Sequence, residues 1–89
     1  MVAYIKNKGT YAITVSSGNT TGTSGTSGRT ITLNNTLTTT DDGMLIFVNT
    51  SFIHTSEVTI VHNSSSSTIT FDSLDIWDGD KITVRYEHA

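Results

Sequence analysis

A chain of 89 residues with a formal net charge of -3 has room for one domain with a thin core. Having no cysteine, it cannot reinforce that core with disulfides or thiolate-bound zinc. Its five Lys and Arg are scattered at positions 6, 8, 29, 81 and 85, so no clustered basic face is available to displace counterions, and nucleic acid is excluded as a partner.

Ser and Thr make up about a third of the chain and proline is absent. No window repeats apolar residues at helical spacing, whereas period-2 alternation recurs, which is the strand signal. The first strand is Val2-Ala3-Tyr4-Ile5-Lys6, and Asn7-Lys8-Gly9 turns it into a second over 10–16, where Tyr11, Ile13 and Val15 share one face. Residues 17–28 follow, carrying Thr-Ser-Gly twice in tandem and no large apolar side chain. This composition predicts a flexible, linker-like loop, either a surface excursion or an arm that orders across a neighbouring subunit. Ile31 and Leu33 then alternate with Thr30, Thr32 and Asn34.

Asp41-Asp42-Gly43 launches the run Met44-Leu45-Ile46-Phe47-Val48, which is apolar at both parities and predicts a central strand covered on both faces. This run is also the longest apolar one and is far too short to span a bilayer. Val58 and Ile60 mark a further strand, the Ser run 64–67 a connection, and Ile69 and Phe71 another strand. Asp78-Gly79 reads as a tight hairpin turn between strands over 74–77 and 80–87. Seven or eight short strands at this spacing predict an all-β fold, a compact antiparallel β-sandwich or squat barrel, as a single domain over 1–89.

No Gly-x-Ser-x-Gly elbow occurs, and His88 stands next to the C-terminus, so the chain reads as non-enzymatic. No Gly-rich phosphate loop precedes a helix, and no cofactor is expected. Asp72, Asp75, Asp78 and Asp80 fall close together and are chemically compatible with calcium, but the spacing lacks the acidic loop with a distal Glu, and turn or solvent-facing roles account for them. His54 and His62 could share a transition metal if their strands pair; exposed strand-end positions account for them better, and no metal site is assigned. The four Asn-x-Ser/Thr triplets, at Asn19, Asn34, Asn49 and Asn63, follow from composition. Trp77 is the only tryptophan. In a regular strand it would share the outward face with Asp75, so it is either a core residue placed by a bulge or an interface contact.

The Thr/Ser/Asn/Gly-rich hairpins, the loop from Gly18 to Gly28 and the closing stretch Ile76-Trp77-Asp78-Gly79-Asp80-Lys81-Ile82-Thr83-Val84-Arg85-Tyr86 give the chain a texture that resembles small virion proteins of tailed bacteriophages, such as capsid decoration proteins and tail-fibre modules. The resemblance is one of composition and carries no transferable site. It implies a structural protein of the virion, made in the host cytoplasm, acting as a homo-oligomer, with a trimer favoured, and contacting a capsid or tail protein. On this reading the interface residues are Asn19, Thr20, Thr21, Thr23, Ser24, Thr26 and Ser27 of the loop, with Trp77 and the Asp41–Gly43 turn as secondary contacts. Two alternatives stand beside it: a carbohydrate- or receptor-binding module using exposed aromatics with Asn and Asp, and a calcium-dependent β module.

Overall fold

The computed structural model describes residues 7–33, 44–63 and 65–88. Among the described residues seven strands form: β1 (Asn7–Thr14), β2 (Arg29–Leu33), β3 (Leu45–Val48), β4 (Ser51–Ile53), β5 (Thr59–His62), β6 (Ser67–Phe71) and β7 (Lys81–His88), with one 3-10 turn at Thr55–Glu57. They build two antiparallel sheets, a four-stranded one in the order β1-β7-β3-β4 and a three-stranded one in the order β2-β6-β5. The protein is an all-β sandwich. The expected strand 2–6 and the Asp41–Gly43 turn lie outside the described residues.

The period-2 alternation decides which side of each strand is buried. In the register of β1 with β7, Tyr11 faces Val84 and Ile13 faces Ile82, while Thr10, Ala12 and Thr14 oppose Arg85, Thr83 and Lys81. One row is apolar and turns inward; the other turns out. The three-stranded sheet repeats the logic: Ile31 and Leu33 alternate with Thr30 and Thr32, and Ile69 and Phe71 with Thr68 and Thr70. The inner faces meet in a core that includes Ile31, Leu33, Ile46, Ile69, Phe71, Ile82 and Val84, all at 0% exposure. Burying such side chains contributes roughly 1.5–3 kcal/mol each before chain entropy is counted.

Four local expectations are corrected. Asn7, Lys8 and Gly9 do not turn the chain but open β1, paired with His88, Glu87 and Tyr86. The run 44–48 is interior to its sheet but covered on one face only, because the second sheet packs on Met44, Ile46 and Val48 and leaves Leu45 42% exposed. Residues 74–77 do not form a strand. They make one isolated bridge, Thr26 to Ile76, and the chain around Ile76 is held by the 17–28 loop rather than by a neighbouring strand. The Asp78-Gly79 turn is present all the same, closed by Asp80 N donating to Trp77 O at 3.0 Å. Finally, β4 was not foreseen: Val48 pairs with Ser51 across Asn49-Thr50, and Asn49 takes the positive φ of 57° that the primed hairpin turns demand at their first loop position.

Candidate binding site at the loop end

The site begins with one cation. Arg29 opens β2 opposite Phe71 and is only 1% exposed. Its Nε donates to Thr21 O, its Nη1 to Ile76 O and its Nη2 to Asp78 Oδ1, each at 2.9 Å. A buried guanidinium is tolerated only when its donors are matched, and here three directions of the planar fork find acceptors on two separate segments. Arg29 thereby ties the 17–28 loop to the 74–78 segment. Further bonds follow along the seam: Gly25 N donates to Ile76 O, Ile76 N to Thr26 O, and Asp78 N to Ser24 Oγ. Residues 17–28, expected to be linker-like, are thus folded back onto the body of the domain.

The interface residues read from the sequence meet different fates. Thr20 is 4% exposed, so it is a buried member of the loop and its side chain is not presented to a partner. The Asn19 amide donates to Thr14 O and its Oδ1 accepts from Ser16 N, which places it in the turn's own scaffolding. Thr21 accepts from Thr30 N through Oγ1, Ser24 accepts from Asp78 N, and Thr26 Oγ1 donates to Thr23 O. Thr21, Thr23, Thr26 and Ser27 remain exposed. Trp77 is the one large side chain of the set and is 59% exposed, so the structure places it at the surface and not in the core.

How Trp77 is seated matters more than its exposure. A Cβ built on Gly25 would stand 2.8 Å from both Cη2 and Cζ3 of the indole and 3.0 Å from Cζ2. Near-equal distances to three successive ring atoms put Gly25 beneath the face of the ring, not at its edge. Only glycine permits this approach, and its φ of +82° is a second reason for glycine here. The backbone of Trp77 is fixed as well: its N–H donates to Asp80 Oδ2 at 2.9 Å, and Asp80 Oδ1 accepts from Asn49 Nδ2 at 3.3 Å. Beside the ring lies an open cleft of about 290 Å³ with Val48, Ile53 and Leu74 as apolar lining and Ser51, Asp75 and Asp80 as polar lining.

The acidic residues do not converge. Asp72 accepts from Thr59 Oγ1, Asp78 pairs with Arg29, and Asp80 holds the Trp77 turn, so each is spent separately. Among the described residues no group of three or more His, Asp or Glu is placed to hold a metal ion. His54 caps the 3-10 turn, its Nδ1 accepting from Ser56 N at 3.0 Å, whereas His62 lies on β5 of the other sheet with Ser67 Oγ at 3.4 Å. The close Ser56–His54 contact of 2.8 Å is part of that exposed cap, and the Glu57 carboxylate bonds the His54 backbone N–H rather than its ring.

Comparison with protein-family models, curated proteins and solved structures returns no match.

Sequence reasoning missed the part played by Arg29, and also Gly25 as the seat of Trp77. The available signal was weak: a lone Arg at the junction of a glycine-rich loop and a strand.

Proposed function

We propose that the protein is a non-enzymatic structural module that works through contacts between copies of itself and with a larger assembly, as a capsid decoration or fibre component of a virion does. The observation that supports this reading most is the outer face of the four-stranded sheet. The register aligns Ala12, Thr83, Phe47 and Phe52 in one row across β1, β7, β3 and β4, with Leu45 next to Phe47's row on β3. Phe52 is 51% exposed and meets Phe47 edge-on, with ring centroids 5.8 Å apart. Outward positions of a lone sandwich are normally polar, and the apolar patch of Leu45, Phe47 and Phe52 on β3 and the edge strand β4 is the arrangement that contact surfaces use. A thin core gives a further reason for burying this face in an oligomer. The virion setting rests on the texture of the chain.

The test is the mass in solution by light scattering after size exclusion, with and without chelator. A trimer or larger species that ignores chelator is expected, and the double variant Leu45→Ser, Phe52→Ser is expected to shift it toward the 9.6 kDa monomer. A parent protein that stays monomeric at every concentration, and does not bind a particle surface, overturns the reading.

A further inference from the structure

We propose that Trp77 and Asp75 form a subsite for a neutral saccharide, independent of the assembly reading above. One face of the indole rests on Gly25, so with the residue 59% exposed it is the opposite face that meets solvent. An exposed aromatic normally samples several orientations; this one has Gly25 against one face and a backbone tied down on both sides. Asp80 fixes its amide, Ser24 and Arg29 fix Asp78, and Gly25 and Thr26 fix Ile76. The ordering cost of a binding surface is thereby met during folding and not during association.

The chemistry around the ring narrows the ligand. Val48, Ile53 and Leu74 give the adjoining cleft an apolar lining edged by Asn49 and Ser51, and Asp75 is the carboxylate there that has no bond to another of the described residues. A flat apolar wall, with a few acceptors at its margin, matches a sugar ring, which offers a C–H face for stacking and hydroxyl donors around its rim. An anionic ligand is disfavoured by Asp75 and by Asp72, Asp78 and Asp80 in the same stretch. A cationic ligand would be drawn by those carboxylates, but strong cation–π recognition needs a desolvated enclosure. The cleft is open, and Trp77 is the one aromatic among its described lining residues. Its volume of about 290 Å³ is on the scale of one sugar unit, so longer glycans would extend along the surface.

Because Trp77 is the only tryptophan, fluorescence excited at the red edge, where the three tyrosines do not absorb, reports on this site alone. The experiment titrates the purified protein with neutral hexose and N-acetylhexosamine oligosaccharides, choline and lysine amide, and repeats any positive titration by calorimetry. A saturable spectral change with at least one neutral saccharide is expected, with heat of binding lost in Trp77→Ala. Asp75→Ala is expected to weaken binding by about tenfold without moving the melting temperature, since none of the described residues bonds that carboxylate. Trp77→Phe, which keeps an aromatic wall, retains partial affinity and guards against a folding defect in the alanine variant. No response to any neutral saccharide at millimolar concentration overturns the proposal. So does binding that survives both Trp77→Ala and Asp75→Ala, or a response confined to choline and lysine amide. The mass measurement is indifferent to each of these results, so the two readings fail separately.

Discussion

The interior of the sandwich and the loop end of the molecule are held by opposite kinds of force. Between the sheets, aliphatic side chains at 0% exposure pack without any directional requirement. At the loop end, residues 17–28 bring no large apolar side chain, and what holds them is a set of hydrogen bonds converging on one guanidinium and one short stretch of backbone. The first arrangement spreads its stabilisation over many residues. The second concentrates it, so a single substitution should undo the local structure while leaving the sandwich standing.

The largest effect belongs to the interior. Phe71→Ala removes a fully buried aromatic from β6, in the core between the sheets, and should cost about 3–5 kcal/mol, read as a drop in the denaturant midpoint by every probe at once. Arg29→Leu comes next, at about 2–4 kcal/mol, since it leaves the Thr21 carbonyl without its donor, Ile76 O with only the bond from Gly25 N, and Asp78 without its cation. Its signature is different: amide hydrogen exchange at Gly25, Ile76 and Asp78 should accelerate well before that of Ile31 or Ile69. Equal acceleration everywhere would erase the distinction between the two regions. Arg29→Lys should not rescue it, because one compact ammonium cannot meet acceptors arrayed around a planar fork.

That contrast also explains what could be read from the sequence. Tyr11, Ile13 and Val15, Ile31 and Leu33, Ile69 and Phe71, and Ile82, Val84 and Tyr86 all lie on the faces that their alternation assigns, because a strand's burial pattern is written locally. Arg29 was opaque for the converse reason. Its partners stand 8, 47 and 49 positions away, and no spacing rule connects them. Two-sided apolarity at 44–48 was overread: Leu45 and Phe47 point away from the second sheet, and whether a sheet has a cover on its outer face is a property of the whole fold. β4 escaped notice because Ser51-Phe52-Ile53 shows one apolar alternation at most, and the His54 cap because histidine is not among the residues that usually signal a helix start. For the candidate site, alternation pairs Trp77 with Asp75 but leaves the indole open between a bulge-placed core position and the surface, and nothing in the sequence marks the glycine beneath it.

A smaller test separates charge from connectivity at the same point. Asp78 is 49% exposed, so water screens its attraction to Arg29 even though the guanidinium is buried. Asp78→Asn keeps an oxygen for Nη2 and should cost about 0.2–1 kcal/mol, with little added salt dependence. A loss approaching that of Arg29→Leu would mean that the ion pair, and not the bonds to backbone carbonyls, carries the loop.

The smallest effect lies where the two regions meet. Tyr11 projects from β1 into a cleft shared with Asn19, Thr21 and Thr30, and burial there raises its phenol above the ordinary value of 10.0. The folded chain therefore keeps this proton at a pH where the unfolded chain has lost it. Any stability it brings is complete below pH 10 and declines as the pH rises through the folded value. A phenolate absorbance titration should show a late step that Tyr11→Phe removes, and the alkaline decline in unfolding midpoint should flatten in the same variant. The informative version repeats the titration in Arg29→Leu. If the loop covers Tyr11 only because Arg29 holds it there, the late step should move back toward 10.0 while the sandwich remains folded. If it does not move, the burial of Tyr11 comes from the sheets themselves, and the two regions are less separable than their hydrogen bonds imply.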